Sequence, residues 1–159
     1  MGDPGSGREE SETERLDRNL NELLQELRVA LPGVQVLFAF LLTIPFAQRF
    51  AQLTTAQERI YLAILLATTI SAVLLIAPSA YHRINFRQQE KGKLVFVSNA
   101  LAITGLGFLA LAMTGVVLLV TDFLFATAVT VISTGLTTLM FATFWYALPL
   151  RRRFSGDDD

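Results

Sequence analysis

The chain has 159 residues, of which 52% are hydrophobic and 17% are charged, and its formal net charge is −1. A typical soluble domain has about 25% charged residues. Between Leu94 and Leu150 the single charged residue is Asp122. This excludes a water-soluble fold for that segment, because a helix in water needs charged side chains at about every turn. The absence of cysteine excludes disulfides, thiolate nucleophiles and cysteine metal sites. We also expect no nucleic-acid partner.

The chain opens with a Gly- and acid-rich tail, residues 1–10, which we predict to be disordered. It does not resemble a secretory signal, which has a basic start and an early apolar core. Residues 11–31 then predict an amphipathic juxtamembrane helix, with Ser11 and Glu14 as a capping box and Pro32-Gly33 as its end. Leucines recur at spacings of three and four on one face of this helix. The candidate interaction face consists of Leu16, Leu20, Leu23, Leu24 and Leu27.

The contact made by this leucine face is open. Glu12–Arg28 contains five acids and three arginines, whereas helices that bind anionic lipid are normally basic. The heptad-like spacing lasts about two heptads, which is marginal for an independent coiled coil. The face could therefore lie against the chain's own bundle at the membrane surface, against a second copy, or against another membrane protein.

Four apolar runs follow, and a helix needs about 20 apolar residues to cross a bilayer. The predicted spans are 33–50, 60–77, 94–120 and 123–150. The first is short and contains Pro45 near its end. The second opens with a capping box at Thr55–Glu58 and ends or kinks at Pro78. A very short connection near Thr121 and Asp122 makes the last two helices antiparallel neighbours.

The basic residues alternate between the two sides of these spans. With both termini cytoplasmic, eleven lie inside and two, Arg49 and Arg59, lie outside, as the positive-inside rule requires. This predicts a multi-pass protein of the cytoplasmic (inner) membrane, with the lipid bilayer as its first partner. The residues assigned to orientation and the membrane interface are His82, Arg83, Arg87, Lys91, Lys93, Arg151, Arg152 and Arg153. His82 is the only histidine, and no motif gives it a catalytic partner.

Polar residues within the spans are few. An ionisable residue at mid-membrane would indicate function, but Glu58 and Asp122 both fall at the predicted outer boundary. Gln35 and Asn99 could form a hydrogen-bonded clasp between helices one and three, a bond worth about 0.6 kcal/mol. Small residues recur at every fourth position of helix four and indicate close helix packing. They are Ala126, Thr130, Thr134, Thr138 and Ala142.

Three segments together resemble a known family. They are "SETERLDRNLNELLQELRV", "GVQVLFAFLLTIPFAQRF" and "APSAYHR". The family is a small bacterial, mostly actinobacterial, membrane-protein family of unknown function, and the resemblance covers about residues 13–153. Some members are labelled as sodium:proton antiporters, which implies an ion-coupled role. The resemblance implies no catalytic or binding residues.

The prediction is an all-α integral membrane four-helix bundle. A disordered tail (1–10) and an amphipathic juxtamembrane helix (11–31) precede a four-span domain (32–153) and a disordered acidic tail (154–159). We expect a non-enzymatic assembly, interaction or regulatory subunit with no cofactor and no metal. One alternative is a small cation/proton transporter that acts as an oligomer and uses Glu58 and Asp122. Another is a membrane enzyme or sensor that uses Tyr81, His82 and Arg83 at the cytoplasmic edge.

Overall fold

In a computed structural model of the chain, the structure describes residues 12–84, 91–148 and 151. Four long helices follow one another along the chain. They are α1 (Glu12–Thr43), α2 (Thr55–Ile84), α3 (Lys91–Leu124) and α4 (Thr127–Phe141), the last continued by a π-helical segment at Ala142–Ala147. Two 3₁₀ turns, Ile44–Phe46 and Gln48–Gln52, connect α1 to α2. Both predicted tails lie outside the described residues.

Each of the four helices is long and apolar enough to cross a membrane. The candidate spans are Glu14–Phe46, Thr55–Tyr81, Val95–Leu124 and Thr127–Ala147. The described residues contain no strand, so the predicted all-α, four-helix class is confirmed. Within the apolar part of the four spans, a residue that the chain itself does not cover would face lipid in a membrane.

The close contact between α2 and α3 forms the centre of the bundle. The buried Ser71 hydroxyl donates a hydrogen bond of 2.8 Å to the Gly105 carbonyl. A Cβ atom placed on Gly105 would lie 2.9 Å from Leu75 Cγ, and one placed on Gly115 would lie 2.7 Å from Ile64 Cγ1. Glycine at these two positions therefore lets the α3 backbone approach α2, as expected for helices that associate in lipid.

Helix α1 packs against α2 and α3 along a single buried stripe. Leu20, Leu27, Val34 and Leu41 lie seven residues apart and are 4%, 4%, 0% and 1% exposed. Leu27 and Val34 share one apolar cluster with Leu75 of α2, while Leu41 joins a second one. Heptad spacing keeps these side chains on one face of a helix packed against its neighbours.

The predicted helix boundary at Pro32-Gly33 is wrong, because α1 runs through both residues without a break. Proline removes one backbone hydrogen bond within a helix. Here the buried stripe continues in the same register on both sides of Pro32, and an interruption would move half of the stripe off the α2–α3 surface. The juxtamembrane helix and the first span are therefore two halves of one helix.

Two further boundaries differ from the prediction. Helix α2 continues past Pro78, which is fully buried, and ends at Ile84 rather than at the proline. The turn between α3 and α4 lies at residues 125–126, where extended Ala126 opens α4, so Asp122 belongs to the last turn of α3. In both cases packing against neighbouring helices extends a helix beyond its local stop signal.

Helix α4 lies at the edge of the bundle and packs against α3 alone among the described elements. Its π-helical end brings Tyr146 over α3, where the hydroxyl lies 3.5 Å from the Ile103 carbonyl. A Cβ on Gly107 would lie 2.8 Å from that hydroxyl oxygen. Because Tyr146 near the end of α4 meets Gly107 on the first half of α3, the two helices are antiparallel, as predicted.

The glycine contacts give the first prediction. Gly105→Ala and Gly115→Ala should each lower the free energy of unfolding by about 1–3 kcal/mol, because the added methyl overpacks the α2–α3 contact. Gly33→Ala is the matched control, since no atom lies within 4 Å of its Cβ position. Unfolding of the purified protein in mixed micelles, titrated with dodecyl sulfate and followed by circular dichroism, measures the difference. Equal stability of all three variants would contradict the close-contact assignment.

Candidate functional site

A polar cluster joins the ends of α2 and α3 beside the α1–α2 connection. The Thr54 backbone N–H donates to Gln57 Oε1 at 3.0 Å, and the Gln57 backbone N–H donates to Thr54 Oγ1 at 3.3 Å. The Gln57 amide nitrogen then donates to Asp122 Oδ2 at 2.9 Å. Gln57 is 9% exposed. One side chain therefore caps α2 and holds the acid at the end of α3.

The cap lies one residue earlier than predicted. The predicted box was Thr55–Glu58, but the reciprocal hydrogen bonds join Thr54 and Gln57. Glutamine serves as well as glutamate at the third helical position, so "TTAQE" contains two overlapping boxes. Burial decides between them, because Gln57 faces α3 whereas Glu58 is exposed. Gln57, the partner of Asp122, is therefore a site residue that was not predicted.

The two acids of the transport alternative both lie at this end of the bundle. Glu58 is exposed in the first turn of α2, and Asp122 is exposed but hydrogen-bonded to Gln57. The Asp122 carboxylate lies at the C-terminus of α3, where the helix dipole makes a negative charge unfavourable. The hydrogen bond that the Gln57 amide donates to this carboxylate partly offsets that cost. The transport alternative stays a prediction.

The predicted clasp between Gln35 and Asn99 is not formed. Both side chains are exposed, so neither lies between helices α1 and α3. Among the described residues, the buried polar contacts between spans are instead those of Ser71 with the Gly105 carbonyl and of Tyr61 with the Leu41 carbonyl. The prediction failed because neighbouring residues of a helix point about 100° apart. Val34 and Ser98 face the bundle and are buried, so Gln35 and Asn99, which follow them, face away from it.

The candidate leucine face is largely used inside the chain. Leu20 and Leu27 are each 4% exposed, and Leu27 packs in one cluster with Leu75 and Ala102. Leu16, Leu23 and Leu24 are partly buried. This arrangement matches the alternative in which the helix lies against its own bundle, and it leaves little of the face for a partner.

The interface residues are only partly described. Arg83 is exposed in the last turn of α2, and Arg151 is exposed. His82 lies in the same turn as Arg83, but its side chain, like those of Lys91 and Lys93, is outside the described part of the structure. Arg87, Arg152 and Arg153 also lie outside the described residues.

A groove runs along α4 beside α3. It has a volume of about 560 Å³ and is almost entirely apolar. Four of the small residues at every fourth position line it, namely Thr130, Thr134, Thr138 and Ala142, together with Gly135 and Leu118. The groove therefore follows the line of small residues on α4, and it is open at the surface of the bundle.

Two hydroxyls beside this groove lack hydrogen-bond partners. Thr130 is 4% exposed, and neither its Oγ1 nor that of Thr134 has a partner among the described residues. The hydroxyls of Thr137 and Thr138 instead donate to the carbonyl four residues earlier at 2.8 Å. A buried hydroxyl without a partner is unfavourable in an apolar environment. The contact between α3 and α4 therefore leaves the hydrogen-bonding capacity of these two hydroxyls unused.

Within residues 12–84, 91–148 and 151, no group of three or more His, Cys, Asp or Glu side chains could hold a metal ion. The polar contacts between helices in this part of the chain include Gln57 with Asp122, Ser71 with Gly105 and Tyr61 with Leu41. Their chemistry is that of hydrogen bonding between spans.

A known family covers most of the chain. The model of a family described as a family of unknown function (DUF6328) matches residues 9–149. The chain belongs to this family, and the resemblance to a family of unknown function is confirmed. No curated protein and no solved structure matches the chain.

The Gln57 contact gives the second prediction. Gln57→Met should lower the free energy of unfolding by about 1–3 kcal/mol, because it removes the cap and leaves the Asp122 carboxylate without its donor. Gln52→Met is the control, since Gln52 is exposed and its replacement should change stability by less than about 0.5 kcal/mol. Thermal unfolding in detergent compares the two variants.

A double-mutant cycle tests the Asp122 bond itself. If Gln57 acts through Asp122, then Asp122→Ala should change stability less in the Gln57→Met background than in the parent. Strict additivity of the two changes would show that the 2.9 Å contact contributes nothing.

Proposed function

We propose that this member of a family without an established function is a non-enzymatic integral membrane protein that acts as an assembly or interaction subunit. Its contact surface is the groove side of α4. The observation that carries the proposal is the one-sided packing of α4, which contacts α3 alone among the described elements. In the most apolar part of the span Thr127–Ala147, 6% of the residues are buried within the chain. The corresponding share is 33% for Thr55–Tyr81.

The composition of the exposed α4 surface supports helix association. Gly135 is exposed, and no atom lies within 4 Å of its Cβ position. Thr138 and Ala142 continue the small-residue line towards the end of the helix. In lipid, small residues at such spacing allow a second helix backbone to approach closely, and the resulting dispersion contacts stabilise the pair.

A second copy of the chain is the partner proposed for this surface. Large side chains flank the small-residue line, because Val131 is 65% exposed and Leu139 is 63% exposed. A line of small residues between bulky ones is self-complementary about a two-fold axis, which is the commonest symmetry of homo-oligomers. The leucine face of α1 offers less, since Leu20 and Leu27 are already buried.

Disulfide crosslinking tests this contact, and the chain has no native cysteine. Gly135→Cys should give a high yield of disulfide-linked dimer in oxidised membrane vesicles, because the two copies meet along that face. Leu136→Cys is the matched control, since Leu136 is exposed at nearly the same depth but lies about 100° around the helix. Equal yields at the two positions would contradict self-association through the groove.

The orientation forms part of the same proposal. We infer that the chain lies in the cytoplasmic membrane with both termini inside, so that the α1–α2 connection and the α3–α4 turn face outwards. The distribution of basic residues supports this, because eleven of thirteen then lie on the cytoplasmic side.

Cysteine labelling on intact cells tests the orientation. Gln52→Cys should react with a membrane-impermeant maleimide, because Gln52 is exposed in the α1–α2 connection. Asn21→Cys should react only after the cells are opened, since Asn21 is exposed on the first half of α1. The opposite labelling pattern would reverse the proposed orientation.

A further inference from the structure

A second groove lies at the end of the bundle where α1 joins α2. Ile44, Phe50 and Leu53 of the connecting segment form one side, and Leu119 and Phe123 of α3 form the other. The groove has a volume of about 270 Å³, and apolar atoms make up nearly all of its lining. Its volume lies just below the range of small-molecule pockets, so it suits one narrow apolar chain.

The wall of this groove is held by the fold. Phe50 packs edge-on against Tyr61 with ring centroids 5.4 Å apart. The Tyr61 hydroxyl donates to the Leu41 carbonyl at 2.8 Å, at the end of α1. Two aromatic rings therefore fix the connecting segment against α2, and the groove beside it is a preformed feature.

One charged residue, Arg49, lines the groove. It is exposed in the second 3₁₀ turn, and no described carboxylate forms an ion pair with it. Phe46 in the preceding turn is 88% exposed. An exposed arginine next to an exposed phenylalanine is the arrangement of a segment at headgroup level, with the aromatic ring among acyl chains and the guanidinium at the polar boundary.

We propose that this groove binds an anionic phospholipid from the leaflet that contacts the α3–α4 turn. One acyl chain lies along Ile44, Leu119 and Phe123, and the phosphate contacts Arg49. Charge complementarity selects this occupant: a guanidinium binds phosphate oxygens through paired N–H donors, and the apolar lining accepts hydrocarbon. A headgroup without its own cation leaves the phosphate fully available to Arg49.

Quenching by brominated lipid tests the proposal. Trp145 is the only tryptophan, so a Trp145→Phe, Phe123→Trp protein reports from the groove alone. It is reconstituted in phosphatidylcholine vesicles containing increasing fractions of phosphatidylglycerol with brominated chains. We expect the reporter to prefer phosphatidylglycerol about fivefold over the bulk composition, which corresponds to about 1 kcal/mol for one basic residue.

Two charge variants locate the preference. Arg49→Gln should reduce the preference for phosphatidylglycerol from about fivefold to about onefold. Arg59→Gln should leave this preference unchanged, because Arg59 is exposed at the start of α2 and does not line the groove. Ala47 lines the groove, so Ala47→Leu should narrow it for the acyl chain of any lipid. In this variant, quenching should fall both with brominated phosphatidylglycerol and, in separate vesicles, with brominated phosphatidylcholine. An unchanged preference in Arg49→Gln, or an equal loss in Arg59→Gln, would overturn the proposal. Neither result depends on whether α4 self-associates.

Discussion

The close approach of α2 and α3 is the constraint on which the rest of the bundle depends. A Cβ on Gly105 or Gly115 would lie within 3 Å of a side chain of α2, and the Ser71 hydroxyl reaches the Gly105 carbonyl at 2.8 Å. In lipid no hydrophobic effect drives helices together, so dispersion contacts at short range and hydrogen bonds between spans must do so. These two helices form the surface on which α1 lies, and α3 alone carries α4.

Helix α1 shows how packing can outweigh a local stop signal. Pro32 and Gly33 both disfavour helix, yet the chain stays helical from Glu12 to Thr43. The buried residues Leu20, Leu27, Val34 and Leu41 lie on one line that crosses the proline. The loss of one backbone hydrogen bond is offset by the close packing of these four side chains against α2 and α3, which an interruption at Pro32 would break.

One end and one side of the molecule carry surfaces of different chemistry. At the end near the α3–α4 turn, Gln57 ties α2 to Asp122, and the adjacent groove combines apolar walls with Arg49. On the outer side, α4 presents small residues and an open groove. The first surface suits a lipid and the second suits a helix, because one has a cation at a polar boundary and the other lies within the spans. A subunit that assembles within a bilayer would use both.

The sequence by itself determined the class of the protein. Apolar runs of sufficient length, with Asp122 as the single charge between Leu94 and Leu150, specify four helices in lipid because no other solvent accepts them. It also showed the small residues of α4 and the antiparallel order of α3 and α4. Only the tertiary structure decided which residues meet. It exposed Gln35 and Asn99, buried Leu20 and Leu27 of α1, and paired Gln57 with Asp122. The physical reason is that helical periodicity defines faces within one helix, whereas the rotation of each helix against its neighbours depends on close packing at a few small residues.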